Sequence, residues 1–301
     1  MTTPAPQDAR LCARDLSVGY KEATVVKGLD LDLPVGRFTV IVGPNACGKS
    51  TLLRALARLL PARSGAALLD GREVHRYRSK DFARRLTLLP QAVPVPEGIT
   101  VADLVARGRF PHQGMLRQWS PQDEAAVREA LAVTGVSALA DRPVDDLSGG
   151  QRQRVLISMA LAQDTELLLL DEPTTYLDIT HQIEVLELCS ELVQRGRTVV
   201  AVLHDLQLAA RYADHLVALR AGELVAQGGP AEVVTPELIE ATFGLRARVL
   251  EDPETGAPLV VPLAGRAALP GGAVPGAAGS GTAAQGAAVP PGDAALVGSE
   301  A

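Results

Sequence analysis

A glycine-rich stretch, GPNACGKST, occupies residues 43–51 and carries the clearest chemistry in the chain. It matches G-x-x-x-x-G-K-[ST] in full and stands between a predicted buried strand and a predicted helix, the context that a phosphate-binding loop requires. Its N–H groups are expected to bind the α- and β-phosphates, Lys49 the β- and γ-phosphates, and the Ser50 hydroxyl Mg²⁺. Thr51 is placed for the α-phosphate. The predicted nucleotide-binding residues here are Gly43, Pro44, Asn45, Ala46, Cys47, Gly48, Lys49, Ser50 and Thr51.

Two acidic residues follow a run of four leucines in LLLLDEP, residues 167–173. A buried strand would bring Asp171 to the mouth of the sheet, where it can orient Mg²⁺ through water. Glu172 can then polarise the attacking water as a general base. An acidic pair after a strand can also be a simple cap. Combined with a phosphate loop on a neighbouring strand, the pair predicts the second half of a hydrolytic site.

Three further side chains are candidates through their positions at strand ends. His204 ends VVAVLHD, and it falls near the γ-phosphate if its strand neighbours the other two. Gln91 follows a short strand and opens a proline-rich loop, where a neutral amide can contact Mg²⁺ or water. Tyr20 ends the first strand, where its ring could stack on adenine or lie as a half-buried edge residue. The residues alone leave both alternatives open for Tyr20.

A second phosphate-binding element, DLSGGQRQRVL, lies at residues 146–156. A serine and two glycines precede a predicted helix, and a helix N-terminus offers unpaired N–H groups and a favourable dipole. A chain that already has a phosphate loop does not need this element for the same phosphates. The pattern therefore raises the question of which phosphate Ser148, Gly149 and Gly150 would bind.

Hydrophobic periodicity predicts the elements that position these residues. Strands are predicted over residues 11–20, 24–33, 37–43, 65–71, 85–91, 165–173 and 197–205. Helices are predicted over Lys49–Leu60, within Thr100–Ala162, and over 180–196 and 205–214, and a hairpin turning at Ala221-Gly222 and a last strand pair at 246–263 follow. Strands that alternate with helices imply a largely parallel sheet covered on both faces.

The composition narrows the class of protein. A hydrophobic fraction of 47% with 21% charged residues fits a folded domain, and a net charge of −6 argues against a general nucleic-acid binder. The three cysteines have no metal-ligand spacing, and we expect a reducing compartment. No stretch approaches the ~20 apolar residues of a membrane span. Residues 1–9 and the Ala/Gly/Pro-rich residues 264–301 are predicted to be disordered.

Together these motifs resemble the ATPase subunit of ATP-binding cassette (ABC) transporters, in order, from residue 11 to about 263. LSGGQ at residues 147–151 is the most specific element, because phosphate loops occur in many unrelated NTPases. The resemblance implies a P-loop NTPase (RecA-like) α/β core, an antiparallel β subdomain and an inserted helical subdomain at about 92–162, within an ATPase domain spanning 10–263. It assigns catalytic roles to Glu172, His204 and Gln91, and Mg²⁺ ligation to Ser50, Gln91 and Asp171. It also assigns ATP contacts to Tyr20, Ser148, Gly149, Gly150, Gln151 and Asp178.

The resemblance also answers the question of the second element. In this family two cassettes pack head to tail, and each ATP lies between the phosphate loop of one chain and the signature sequence of the other, which is LSGGQ at residues 147–151 here. Ser148, Gly149 and Gly150 would thus contact ATP held by a second copy of the chain. The chain departs from the pattern of the family at two positions. Ala46 stands where many relatives carry glycine, and Tyr176 stands where many carry a small residue.

Three longer stretches resemble importers of iron–siderophore complexes, with cobalamin and haem importers as near relatives. They are DEPTTYLDITHQ at 171–182, ARGRFPHQGMLRQWS at 106–120 and FGLRARVLEDPETGAPLVVPL at 243–263. This subgroup implies a peripheral protein on the cytoplasmic face, under membrane permease subunits served by an external substrate-binding protein. Permease contact is expected at residues 91–96 and 109–114. The chain is expected to make no direct contact with the transported chelate. The first alternative is the ATPase of a cobalamin or haem importer. A soluble repair or translation ATPase is disfavoured by a single cassette without heptads, and a P-loop kinase or GTPase would leave LSGGQ unexplained.

Overall fold

The computed structural model describes residues 9–114 and 119–263. The predicted disordered segments, residues 1–9 and 264–301, lie outside the described residues except for Ala9, which begins the first strand. The first elements are β1 (Ala9–Tyr20), β2 (Ala23–Pro34), β3 (Phe38–Val42), α1 (Lys49–Leu56), β4 (Ser64–Leu69), β5 (Arg72–Glu73), α2 (Ser79–Ala83), β6 (Leu86–Leu89), α3 (Val101–Ala106), α4 (Pro121–Val133) and α5 (Gly149–Ala162). They are followed by β7 (Leu167–Asp171), α6 (Ile179–Gln194), β8 (Thr198–Val202), α7 (Leu206–Tyr212), β9 (His215–Arg220), β10 (Glu223–Gly228), α8 (Pro230–Val233), α9 (Pro236–Phe243), β11 (Ala247–Glu251) and β12 (Pro258–Pro262).

A mostly parallel sheet forms the centre of the described chain, with strand order β10-β9-β3-β8-β7-β6. Strands β9, β3, β8, β7 and β6 run parallel, and β10 pairs antiparallel with β9. Strand β8 lies between β3 and β7, so the three strands that lead to the phosphate loop, to His204 and to the acidic pair are neighbours. The parallel order therefore brings their carboxyl ends to one edge, as expected for a ligand site.

Alternation within the central strands divides their side chains between two cores. In β7, Leu168 and Leu170 face one core, whereas Leu167 and Leu169 face the other. The first core packs the sheet against helices α3 to α9. The second packs it against α1 and the antiparallel sheet of order β2-β1-β4-β5. Burial on both faces explains why these strands are continuous apolar runs.

Capping residues determine where several helices begin. Thr100 accepts a hydrogen bond from the Asp103 amide, and Ser120 forms a capping box with Asp123, with Pro121 in the first turn of α4. Helix α1 is shorter than predicted: it ends at Leu56 rather than Leu60, because Arg58 adopts a left-handed φ of +64°. The predicted hairpin is confirmed, with left-handed Ala221 and Gly222 at its turn.

None of the helices in residues 9–114 and 119–263 has the length and apolar character needed to cross a membrane.

Candidate functional site

The loop between β3 and α1 closes on the side chain of its own lysine. Lys49 is buried, and its Nζ donates hydrogen bonds to the carbonyl oxygens of Gly43 at 2.8 Å and Pro44 at 3.0 Å. Gly43 has a φ of +152°, and a Cβ on it would lie 2.2 Å from the Leu219 carbonyl oxygen. A side chain is therefore excluded at Gly43 by both conformation and contact.

Two small residues of this loop differ in how well they suit it. Ala46 has a left-handed φ of +60°, a conformation that costs a non-glycine residue roughly 1–2 kcal/mol. Cys47 is buried, and burial raises the pKa of its thiol although nearby Lys49 acts in the opposite direction. A thiol with little thiolate is unreactive, which agrees with a small packing residue rather than a redox switch.

Asp171, the last residue of β7, is a buried carboxylate beside the phosphate loop. Neither of its oxygens makes a hydrogen bond of normal geometry in the described part of the chain, although the Ser50 hydroxyl lies close enough to act on them. Burial raises the pKa of its carboxyl, while the nearby Ser50 hydroxyl and the Arg54 guanidinium, 3.9 Å away, act against that rise. An unsatisfied buried carboxylate next to a hydroxyl is a set of oxygen donors that suits Mg²⁺.

Glu172 is held by side chains from three separate segments. Its Oε1 lies 2.6 Å from His204 Nε2, and its Oε2 lies 2.6 Å from Gln91 Nε2. The Thr175 hydroxyl donates to the same Oε2 at 3.2 Å. Because a carboxylate only accepts hydrogen bonds, His204 and Gln91 are the donors. The structure thus brings together the three residues that the sequence predicts as catalytic, and adds Thr175.

A cleft of about 500 Å³ lies between the phosphate loop and the pair Glu172 and His204. Its lining includes Val25, Glu172, His204 and the loop from Asn45 to Thr51. Val25 was missed because its place in an alternating strand indicates only core packing. Tyr20 lies nearby on β1, is 43% exposed, and its hydroxyl accepts a hydrogen bond from Arg54 on α1 at 3.4 Å. An exposed ring beside α1 is available to a planar ligand.

The second phosphate-binding element forms the N-terminus of α5 and does not line this cleft in the described chain. Ser148 caps the helix: its hydroxyl accepts from the Gln151 amide at 3.3 Å, and Gln151 Oε1 accepts from the Ser148 amide at 3.2 Å. Ser148 and Gly149 are exposed. Asp178 caps α6 by accepting from the His181 amide at 2.9 Å. Both helix ends present polar groups to the surface rather than to the chain's own loop.

The segment 109–114, predicted to face a permease, exposes only some of its side chains. Arg109 is buried, its Nε donates to Asp123 Oδ1 at 2.8 Å, and its Nη1 donates to the Ala162 carbonyl at 2.8 Å. The Arg109 guanidinium therefore ties this segment to α4 and α5, and permease contact of the segment stays a prediction. Phe110, 68% exposed, is the apolar side chain that the segment presents.

The fold and the site define a P-loop nucleotide-binding ATPase cassette. The family model described as ABC transporter matches residues 26–175. The ferric enterobactin transport ATP-binding protein FepC of Escherichia coli (strain K12) is 56% identical over 261 residues, which cover 86% of this chain and 96% of that protein. The hemin import ATP-binding protein HmuV of Streptomyces coelicolor is 43% identical over 258 residues, covering 86% of this chain and 91% of that protein.

Similarity extends to solved structures. The dimeric structure of MJ0796, a bacterial ABC transporter cassette, superposes with a TM-score of 0.64 at 26% identity, covering 73% of this chain and 98% of that chain. The chain therefore belongs to the ABC transporter family, as one of its ATP-binding, ATP-hydrolysing subunits.

Proposed function

We propose that this chain hydrolyses ATP to power import of an iron–siderophore complex through a membrane permease. The observation that carries the mechanism is the convergence of His204 and Gln91 on the Glu172 carboxylate, at the mouth of the phosphate loop. The substrate class is supported by the identity to the ferric enterobactin protein, 56%, against 43% for the hemin protein. The proposed ATPase domain spans residues 10–263, with a helical subdomain at about 92–162.

The phosphate loop provides ground-state binding. The backbone N–H groups of residues 45–51 surround the phosphates, Lys49 exchanges its loop carbonyls for the β- and γ-phosphates, and Tyr20 stacks on adenine. The Ser50 hydroxyl and the unsatisfied Asp171 carboxylate would hold Mg²⁺, with Gln91 as a third oxygen donor. When bound, the ion neutralises charge that builds up on the phosphates.

Glu172 acts as the general base. Donors on both of its oxygens fix the orientation of the carboxylate, so that it can accept a proton from water next to the γ-phosphate. His204, 43% exposed, stands on the solvent side of Glu172 and positions it. Gln91 begins the loop that leads toward the helical segment, so its hydrogen bond can report the state of the site to that segment.

The second phosphate site belongs to a partner copy. Ser148, Gly149 and Gly150 contact the γ-phosphate of ATP bound by the other chain, with Gln151 and Asp178 beside it. The exposure of Ser148 and Gly149, away from the chain's own cleft, supports this composite arrangement, whereas Gly150 behind them is buried. The dimeric relative MJ0796 supports a two-cassette assembly. ATP would then join the cassettes, and hydrolysis would release them.

The remaining partners follow from the same proposal. Membrane permease subunits would bind the surface around Phe110 and residues 91–96, on the cytoplasmic face, and an external protein would deliver the chelate. This chain would contact neither the chelate nor nucleic acid. A cobalamin or haem importer ATPase is the alternative. Growth on different ferric chelates after gene deletion, with vitamin B12 and haem uptake as controls, separates the two, since a defect confined to haem or B12 would refute siderophore import.

A pair of variants tests the mechanism. Glu172→Gln should stop turnover and trap an ATP-bound dimer, observed by light scattering, because the amide cannot accept the proton. Ser148→Arg should abolish hydrolysis while single-chain ATP binding stays nearly intact. Glu187→Gln removes an exposed carboxylate from α6 and serves as the matched control. A Glu172→Gln protein that stays monomeric with ATP, or a Ser148→Arg protein that hydrolyses normally, would refute the composite site.

A further inference from the structure

His181 lies between two loops that the proposed mechanism treats separately. Asp178, the N-cap of α6, accepts two hydrogen bonds through Oδ1: one from the His181 amide at 2.9 Å and one from His181 Nδ1 at 2.6 Å. The first of these caps the helix. These bonds lower the pKa of Asp178, with the backbone bond as the larger cause. The ring is therefore fixed by the carboxylate, with Nδ1 as the protonated nitrogen.

The other edge of this ring contacts the turn formed by the signature sequence, residues 147–151 at the start of α5, which we call the signature turn. A Cβ added to Gly150 would lie 2.0 Å from His181 Cδ2 and 2.7 Å from Nε2. Gly150 is the second residue of α5 and does not have a left-handed φ. Glycine is thus needed here because the imidazole approaches the backbone, not because of an unusual conformation.

Neighbouring contacts tie α6 to the loop after Glu172 and to α5. Gln182 Nε2 donates to the Leu177 carbonyl at 3.0 Å, which holds the loop after Glu172 against α6. Arg154 on α5 pairs with Glu184 on α6 at 2.5 Å. These contacts surround His181, whose ring alone among them touches both the Asp178 carboxylate and the signature glycine. Helix capping does not require the ring, since the backbone amide of residue 181 already provides the cap.

We propose that His181 is a positioning residue that joins the loop after Glu172 to the signature turn of the same chain. This inference rests on the proposed head-to-tail pairing. In that pairing the loop stands beside the chain's own ATP, whereas the signature turn serves the partner's ATP. His181 therefore connects the two ATP sites within each subunit: a shift of Asp178 is transmitted through the imidazole to Gly150. Removing the ring leaves both helices capped and the chain's own phosphate loop intact.

The test uses the full chain carrying Glu172→Gln, in which ATP is expected to trap the dimer. We measure the ATP concentration for half-maximal dimerisation by light scattering, single-chain affinity with a fluorescent ATP analogue, and thermal stability. Adding His181→Ala should raise the ATP concentration for half-maximal dimerisation about fivefold, because the link between the two segments is lost. Single-chain affinity should stay nearly unchanged, and thermal stability should fall only by the small amount that one hydrogen bond contributes. His181→Asn should restore most of the loss, because its amide can donate to Asp178. His75→Ala, far along the chain and without an ion-pair or hydrogen-bond partner among the described residues, is the control.

Three outcomes would overturn the inference: unchanged dimerisation in His181→Ala, an equal loss of single-chain affinity, or the same defect in His181→Asn as in His181→Ala. An equal loss of single-chain affinity would mean that the histidine supports its own site rather than the link. The same defect in His181→Asn would mean that the bond to Asp178 does not carry the coupling. If the Glu172→Gln parent itself fails to dimerise, the pairing and this inference fall together. If the parent dimerises and His181→Ala has no effect, only the inference fails.

Discussion

Replacing Asp123 by asparagine should destabilise the protein at neutral pH much more than in acid. Asp123 is 3% exposed and receives hydrogen bonds from Arg109 and Ser120. Burial raises the pKa of its carboxyl, but the hydrogen bonds from Ser120 and from the Arg109 guanidinium outweigh that effect and lower it to about 2. The carboxylate thus favours the folded state because folding gives it these donors.

The size of the effect follows from the difference between the two states. Against an aspartate pKa of about 3.9 in the unfolded chain, a folded value of about 2 corresponds to roughly 2.5 kcal/mol of stability at pH 7. Because the folded-state pKa is the lower one, this stability is fully present above about pH 4. It is lost as the pH falls through about 2. The asparagine variant lacks the charge at every pH, and it also leaves the buried Arg109 without a counter-ion.

Urea unfolding followed by circular dichroism at pH 7 and pH 3 measures this difference. We expect Asp123→Asn to lose roughly 2–3 kcal/mol at pH 7 and about half as much at pH 3. Glu124→Gln is the matched control, because Glu124 pairs with Arg128 on the surface of the same helix and should contribute less than about 1 kcal/mol. A loss that is equal at the two pH values, or no larger than that of Glu124→Gln, would refute the reasoning.

Three further outcomes are expected. Iodoacetamide should label Cys47 at least about tenfold more slowly in the folded protein than in urea, because burial raises the pKa of the thiol. Equal labelling rates would contradict the unreactive thiol. Tyr20→Ala should raise the KM for ATP about tenfold whereas Tyr20→Trp should not, since base stacking is worth ~1–3 kcal/mol, and equal KM values would exclude stacking. Phe110→Ser should weaken co-purification with the permease, whereas Leu59→Ser, exposed to a similar extent, should not; equal retention would exclude contact at Phe110.

The sequence predicts the sheet well because its strands carry a strong local signal. Strands β7 and β8 are buried on both faces, so each is a continuous apolar run whose type does not depend on knowing its neighbours. The hairpin at Ala221-Gly222 is likewise encoded locally. The end of α1 is not, because leucines continue past Leu56 and only the left-handed Arg58 stops the helix. Apolar periodicity cannot detect such a turn.

The burial of Arg109 also escapes prediction from the sequence, but for a different reason. An arginine next to an exposed phenylalanine normally indicates a solvated surface, and its burial depends on Asp123 and on a carbonyl at the end of α5, both distant in sequence. The contact between His181 and Gly150 is also non-local. Motifs identify which residues carry chemistry, whereas pairings across separate helices decide what each residue touches.

The backbone is strained at the residues that orient the Glu172 carboxylate and the loop after it. Glu172 and Tyr176 have left-handed φ values of +56° and +65°, each a cost of roughly 1–2 kcal/mol for a non-glycine residue. Hydrogen bonds to Glu172 from Thr175, His204 and Gln91 offset the conformational cost at Glu172. The strained turn aims the carboxylate at the cleft while the chain continues to Asp178. A glycine in place of Glu172 would relieve the strain but remove the carboxylate that we propose as the general base, and that double demand on one residue would explain why the strain is retained.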